Sequence, residues 1–156
     1  MTDEQKQDFT LRISQANKSA LVVILYDIFL TYAGEAEAAS PADGTFHIAI
    51  SKARGALREL IDSLHLDYEI AQSTYQIYRF VERELICADV RRDAAPIAAT
   101  IRIMRQLRDA YAEAAKTDTS APLMKNTDVI YAGMTYGKHD VMTGSSAAGT
   151  NRGYLV

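Results

Sequence analysis

Apolar residues recur at intervals of three and four along most of the chain, the spacing that places them on one face of an α-helix. Between residues 17 and 116 the pattern divides into segments of roughly 20 residues, each about 30 Å long as a helix. The breaks fall at 40–44, 65–67 and 91–96, where proline, glycine and charged residues cluster. Because helices joined by short connections pack as antiparallel neighbours, the pattern predicts an all-α, antiparallel four-helix bundle.

Each predicted helix has its own apolar stripe. The stripes comprise Leu21, Ile24, Leu25, Ile28 and Tyr32; Ile50, Ala53, Leu57, Leu60, Ile61 and Leu64; Ile70, Thr74, Ile77, Val81, Leu85 and Ala88; and Ile97, Ile101, Met104, Tyr111 and Ala114 or Ala115. Polar side chains that can accept hydrogen bonds from a first helical turn agree with this division. Asn17, Thr45 and Asp67 are the predicted N-caps, and Pro96 is expected in the first turn of the last helix.

The two ends of the chain differ from the bundle, which is expected to span residues 17–116. Residues 1–16 form an N-terminal segment, where Thr2 and Gln5 have capping-box spacing and predict a short helix. Residues 117–156 form a C-terminal extension. Its part from Pro122 to Lys138 is apolar, whereas residues 143–153 are rich in small and polar residues and are predicted to be disordered.

Composition and charge argue against several classes of partner. The net charge of −3 and the pI of about 5.6 do not favour binding to nucleic acid or to an anionic membrane. The single cysteine, Cys87, excludes a disulfide framework and fits a reducing cytosol. The N-terminus lacks signal-peptide features, and the longest uninterrupted apolar run, Ala20–Tyr26, has 7 residues. We therefore expect a cytoplasmic domain without membrane insertion.

No pattern of residues indicates catalysis or metal binding. A di-iron bundle needs Glu-x-x-His, and no glutamate is followed three residues later by histidine. His47, His65 and His139 are scattered, and there is no glycine-rich phosphate loop. The sequence predicts no catalytic residue, no metal and no cofactor.

A row of arginines lies on the last predicted helix at Arg102, Arg105 and Arg108. It has two interpretations, a basic patch for an acidic partner or a solvated face balanced by Asp109 and Glu113. The second is favoured, because the acidic residues lie within a turn or two of the arginines.

The third and fourth bundle helices have more apolar surface than one core-facing stripe requires. Tyr75, Tyr78 and Leu85 form a second line on the third helix, and Ile103, Leu107, Ala110 and Ala114 lie beside the stripe of the fourth. One interpretation is a thicker core that the terminal segments close. The other is a groove that receives apolar helices from a partner.

Four stretches of the sequence occur in an order, and with turn lengths, that match a known family. They are 21–27, 50–64, 75–89 and 103–111. The first, Leu-Val-Val-Ile-Leu-Tyr-Asp, contains the signature residues Leu25, Tyr26 and Asp27, and the last ends in Arg-Gln-Leu-Arg-Asp-Ala-Tyr. Together they resemble the FliS family, the flagellin-specific export chaperones of bacteria.

The resemblance implies a cytoplasmic chaperone without enzymatic activity. Its expected partner is the disordered C-terminal segment of flagellin, held in apolar grooves so that it does not polymerise before type III export. Other flagellar export components are further expected partners. The chain departs from the family at the start of the first helix, where Asn17-Lys18-Ser19-Ala20 replaces the usual Ser-Pro-Glu-Glu, and in its C-terminal extension.

Apolar and tyrosine residues on the outer arcs of the helices are the predicted partner contacts. They are Leu57, Ile61, Tyr75, Tyr78, Leu85, Ile103, Leu107, Ala110 and Tyr111. Without a client, the C-terminal tail or the segment Phe9–Ile13 is expected to occupy the groove. The alternative is a structural or regulatory bundle that forms a homodimer, or binds a partner other than flagellin, through the same faces.

Overall fold

The computed structural model describes residues 1–124, which form five α-helices with no β-strand among them. The helices are α1 (Asp3–Gln15), α2 (Lys18–Ala38), α3 (Gly44–Asp62), α4 (Glu69–Arg91) and α5 (Ala95–Ala115). They correspond to the predicted N-terminal helix and the predicted long segments, so the all-α class is confirmed. Residues 125–156 lie outside the described residues, and with them His139, most of the apolar tail and the stretch predicted to be disordered.

Side chains cap the first two helices as the sequence predicts. At α1, Gln5 N donates to Thr2 Oγ1 at 3.2 Å and Thr2 N donates to Gln5 Oε1 at 2.8 Å, which completes a capping box. At α2, Ala20 N donates to Asn17 Oδ1 at 2.9 Å. These bonds satisfy N–H groups that the start of a helix otherwise leaves without partners.

The caps of α3 and α4 differ from the prediction. Asp43 is the N-cap of α3 and accepts a hydrogen bond from Thr45 N at 3.2 Å, so the assignment of Thr45 is wrong. α4 starts after Tyr68, which makes no side-chain capping bond, and the assignment of Asp67 is therefore also wrong. Pro96 lies in the first turn of α5 as expected.

The long helices form a ring in which α2 and α4 each lie between α3 and α5. α2 packs closely on both of its neighbours, whereas α4 approaches the same two helices less closely. The largest fully buried side chains are Tyr26, Phe29, Phe46, Ile50, Leu57, Leu60, Tyr78, Val81, Leu85, Ile97 and Met104. Ile70, which was expected in the core, is 77% exposed because the buried line of α4 starts one residue later, at Ala71.

α2 is long and apolar enough to cross a membrane by length and mean hydropathy, and it is the one such helix among residues 1–124. A helix that is apolar on most sides is also typical of a protein core. In this fold Tyr26, Phe29, Ala33 and Ala36 of α2 are fully buried between the other helices.

α1 lies along α2 and covers a smaller apolar cluster. Phe9, Ala16 and Ile24 are buried there, with Ile13 and Leu21 half-buried around them. The segment Phe9–Ile13 thus packs on α2 and makes no backbone approach to α4 or α5 within the described residues. Its predicted docking in a groove of the last two helices is therefore wrong.

The segment that follows α5 is hydrogen-bonded to the junction of α1 and α2, an arrangement we call the terminal clasp. Asn17 Nδ2 donates to the carbonyl oxygens of Asp118 and Ser120 at 3.1 and 3.3 Å, and Leu123 N donates to the carbonyl of Ala16 at 2.9 Å. Ser19 Oγ donates to the Asp118 carboxylate. Hydrogen bonds from Ser120 and Ser19 lower the pKa of Asp118 to about 2. The expected boundary at residue 116 thus falls inside a hydrogen-bonded unit.

Candidate functional site

Two polar contacts establish which flank of each helix faces which neighbour. His47 Nδ1 lies 2.9 Å from both carboxylate oxygens of Asp89, so this flank of α4 faces α3. Arg108 Nε donates to Asp27 Oδ1 at 2.8 Å, so this flank of α5 faces α2 and the opposite flank faces α4. Successive residues of an α-helix are rotated by about 100° around its axis. These two contacts therefore also determine which other side chains lie on each flank.

Between α4 and α5 the facing flanks form an apolar strip, here called the apolar seam. Its apolar residues are Ile77 and Phe80 of α4 with Ile103, Leu107 and Ala110 of α5, and the half-buried Glu84 lies on the same flank of α4. Ile77, Ile103 and Leu107 are half-buried and pack on the core from its outer side, while Ala110 is exposed. Phe80 is 39% exposed. The predicted contacts Ile103, Leu107 and Ala110 therefore share one surface.

Between α3 and α4 lies a second strip, here called the basic seam. It consists of Arg54, Arg58 and Ile61 of α3 with Tyr75, Arg79 and Ile86 of α4. Ile61 and Tyr75 are half-buried, and Ile86 is 37% exposed. Because this seam lies on the other flank of α4, the predicted contacts Ile61 and Tyr75 are not brought together with Ile103 and Leu107.

Three predicted contacts belong to the core and not to an outer face. Leu57, Tyr78 and Leu85 are at most 1% exposed. On α4 the buried line runs through Ala71, Thr74, Tyr78, Val81, Leu85 and Ala88, so Tyr78 and Leu85 lie on the inner side. The expectation that these three side chains lie on outer arcs is wrong.

The signature residue Tyr26 is part of a buried tyrosine cluster. Its hydroxyl lies 2.5 Å from the hydroxyl of Tyr78, which joins α2 to α4 across the core. The ring of Tyr111, a predicted contact that is half-buried, has its centroid 5.4 Å from that of Tyr26. Burial raises the pKa of both Tyr26 and Tyr78 above the ordinary tyrosine value. The cluster therefore holds helices together as neutral hydroxyl groups.

The signature residue Asp27 joins three helices. Its carboxylate accepts hydrogen bonds from Arg12 of α1 at 2.5 Å and from Arg108 of α5 at 2.8 Å. Burial by itself raises the pKa of Asp27, but the hydrogen bonds from Arg108 and Arg12 outweigh it, so the pKa lies below its ordinary value. Leu25, the third signature residue, is half-buried against the core. The signature thus serves the packing of α2.

The arginine row on α5 is divided between two roles. Arg108 is held by Asp27 and also contacts Asp109 at 3.3 Å, whereas Arg102 and Arg105 are exposed. Part of the row is therefore structural, which neither interpretation of the sequence anticipated.

Several exposed apolar residues were not singled out from the sequence. Ile48, Phe80, Ile86 and Val90 belong to this group, with Val90 78% exposed. The sequence contains one indication of such exposed residues on α4, because this helix has apolar residues on nearly every side, as Ile77, Phe80, Val81 and Ile86 show.

Within residues 1–124 no three His, Cys, Asp or Glu side chains are grouped as a metal site would require. His47 pairs with Asp89, and His65 Nε2 lies 2.9 Å from Lys18 Nζ, so both described histidines make contacts between helices. Cys87 is a free, half-buried thiol on α4.

Over residues 1–124 these features define an all-helical fold with two partly exposed strips of side chains beside α4. The family model described as flagellar protein FliS matches residues 1–118, which include all five helices. The chain belongs to the FliS family, and the resemblance noted in the sequence is confirmed over a longer stretch than the one that suggested it. No curated protein matches the chain.

Proposed function

We propose that α2 to α5 form an antiparallel four-helix bundle. Three contacts support opposite directions for neighbouring helices. Lys18 at the start of α2 contacts His65 just after α3, and Asn17 contacts Asp118 just after α5. His47 at the start of α3 contacts Asp89 near the end of α4. α4 and α5 are joined by residues 92–94 alone, which also favours an antiparallel pair.

We further propose that the protein is a cytosolic, non-enzymatic flagellar export chaperone. It binds the disordered C-terminal segment of flagellin in the apolar seam and prevents premature polymerisation before type III export. The observation that supports this most is the apolar seam itself, left open beside α4 in a member of a flagellar protein family. An amphipathic helix placed in such a groove buries its apolar face.

The geometry of the apolar seam suits this role. Because residues 92–94 alone join the two helices, an antiparallel pair brings Ile77 and Phe80 level with the stretch of α5 from Ile103 to Ala110. The half-buried side chains give the groove a floor that exists before binding, and the small Ala110 lets a client helix approach closely. A disordered client loses conformational entropy when it folds on the chaperone, so many apolar contacts are needed to offset that loss.

The proposal is tested by calorimetric titration of the protein with the C-terminal flagellin segment of the same organism, while helicity is followed by circular dichroism. Saturable binding, a gain of helix and a negative heat-capacity change are expected. Leu107→Glu places a charge in the seam and should weaken binding by about tenfold or more. Val90→Glu, on the outer side of α4, is the matched control and should change affinity by less than about twofold. No binding, or equal losses in both variants, would contradict the proposal.

The alternative from the sequence, self-association through the same faces, is favoured by the exposure of Phe80 and Ile86 on α4. In sedimentation experiments the fraction of such a dimer would increase with protein concentration, and Leu107→Glu would lower it. A monomer at all concentrations would exclude it.

A further inference from the structure

We propose that the basic seam is a second docking site, separate from the apolar seam, that binds an acidic amphipathic segment of a partner protein. The inference goes beyond the proposed function, since flagellin is assigned there to the other flank of α4. It rests on how arginines, carboxylates and apolar side chains are distributed between α3 and α4.

Three arginines line the basic seam, two on α3 and one on α4. Arg54 and Arg58 are four residues apart, so they lie on one side of α3, and Arg79 lies on the flank of α4 that faces α3. The contact between His47 and Asp89 aligns the two helices. In an antiparallel arrangement this register puts the Arg54–Arg58 turn opposite residues 78–82 of α4. The arginine pair of α3 and Arg79 of α4 are therefore on facing flanks at the same level.

The carboxylates on this flank of α4 are already engaged. Glu82 pairs with Arg79, and Asp89 pairs with His47. Among residues 1–124, Arg54 and Arg58 make no ion pair. The seam therefore has an excess of positive charge, although the whole protein is acidic.

Arg54 gives the most direct indication of a missing acceptor. Its Nε is buried and has no hydrogen-bond partner. A buried polar group without a partner is unfavourable, and most such groups in folded proteins are paired. Because Nε itself is buried, a carboxylate entering the seam would bind Arg54 through the terminal nitrogens of its guanidinium. Guanidinium groups bind carboxylates in a planar, bidentate manner, which makes an acidic peptide a fitting ligand.

The apolar residues of the seam define the rest of the ligand. Ile61 and Tyr75 are half-buried and Ile86 is 37% exposed, so the floor between the arginines is apolar. A segment with aliphatic residues on one side and Glu or Asp beside them would contact both kinds of surface. A nucleic acid would meet the arginines but leave this floor uncovered, which favours a peptide.

The test uses the full chain and a fluorescein-labelled helical peptide with leucines on one face and glutamates beside them. Its counterpart has glutamine at every glutamate. We expect saturable binding of the glutamate peptide, at least about tenfold weaker binding of the glutamine peptide, and loss of affinity as salt is raised. Competition by the flagellin segment should be absent, since the sites differ.

Charge-matched variants locate the site. Arg58→Gln with Arg79→Gln removes two exposed arginines of the seam, and should weaken peptide binding by about tenfold without changing the fold. Arg102→Gln with Arg105→Gln on α5 removes the same charge and should change binding by less than about twofold. Arg54→Gln should weaken binding as well, with circular dichroism verifying that the helices are intact.

Several outcomes would overturn the proposal. Equal binding of the two peptides would show that charge is not recognised, and equal losses in the two double variants would show a diffuse electrostatic effect. Tighter binding of a single-stranded oligonucleotide at the same arginines would assign the seam to a nucleic acid. Full competition by flagellin would show that both ligands bind at one site, which contradicts a separate docking site. Binding of flagellin would in that case still support the proposed function.

Discussion

α2 and α4 have the same two neighbours in the ring but are held in different ways. α2 packs closely on α3 and α5, and its polar groups Tyr26 and Asp27 are bound by residues of α4, α1 and α5. α4 packs less closely, starts without a side-chain cap, and leaves Phe80 and Val90 exposed. Both helices have a buried line, but α4 also carries large exposed apolar residues and α2 has none.

This difference explains why apolar residues on the two helices have different consequences. On α2 they are matched by neighbours, so their burial contributes to stability. On α4 both flanks border strips that remain open to solvent, and exposed apolar patches usually indicate binding. The comparison can be tested by making equivalent changes in both helices.

The largest difference is expected between two phenylalanines. Phe29→Ala on α2 removes a fully buried ring and should lower the free energy of unfolding by about 3–5 kcal/mol. Phe80→Ala on α4 should lower it by less than about 1 kcal/mol, because that ring is partly exposed already. Urea unfolding measures both. Phe80→Ala should instead weaken binding of the flagellin segment, and similar losses of stability in the two variants would contradict the comparison.

A smaller difference is expected between two carboxylates of similar side-chain exposure, 17% for Asp27 and 18% for Glu82. Asp27→Asn leaves Arg12 and Arg108 without their carboxylate and should destabilise the fold by about 1–3 kcal/mol. Glu82→Gln breaks one pair within α4 and should have an effect of at most about 0.5 kcal/mol. Equal effects would mean that Asp27 does not connect helices energetically.

The same aspartate gives a pH dependence with a definite sign. The folded-state pKa of Asp27 lies below its ordinary value of 3.8, so the charged form stabilises the fold above that pH. This stability is lost as the pH falls from about 4 through the lowered pKa. Acid titration of the unfolding free energy should therefore be shallower in Asp27→Asn than in the unmodified protein.

The contribution of the contact between α2 and α4 to stability is tested by removing the hydroxyl groups of the two tyrosines that form it. Tyr26→Phe and Tyr78→Phe should each destabilise the fold by about 1–2 kcal/mol, because each leaves the other hydroxyl buried and unpaired. The double variant should lose less than the sum of the two. Additive losses in the double-mutant cycle would show that the hydroxyl contact contributes nothing.

The smallest effects are expected at the starts of the two helices, and they have opposite signs. Asn17→Ala removes the cap of α2 and should destabilise the fold by about 1 kcal/mol. Tyr68→Asp supplies the side-chain cap that α4 lacks and should stabilise the fold by about 0.5–1 kcal/mol. Asn17→Ser is the control that can keep the cap while removing the amide donors to Asp118 and Ser120. Thermal unfolding distinguishes the three.

Much of the fold follows from local patterns in the sequence. Helix spacing, the caps Thr2 and Asn17, and the position of Pro96 are short-range features, and the structure has them where they were predicted. The caps of α3 and α4 were misplaced because Asp43 and Thr45 are both good capping residues, and because Tyr68 is not one. The N-cap of α3 can be assigned to Asp43 or to Thr45 only when the backbone path of the preceding turn is known.

The surface could be predicted only in part. α4 has apolar residues on nearly every side, so periodicity alone fits a buried line through Ile70 and Ile77 or one through Ala71 and Tyr78. The second is buried, because Tyr78 meets Tyr26 across the core. Similarly, nothing local in Asp27 reveals that Arg12 and Arg108 bind it from two other helices. Contacts of this kind depend on packing between distant segments.

The terminal clasp has a consequence for the order in which the protein is completed. The hydrogen bonds from Asn17 to Asp118 and Ser120 join positions 101 and 103 residues apart. A domain emerges from the ribosome with its N-terminal part first, so the start of α2 lacks these partners until α5 has been made. Closing so long a loop before the helices have packed would be entropically unfavourable. Slow hydrogen exchange at the Leu123 amide would therefore mark a chain whose helices have all been synthesised and assembled.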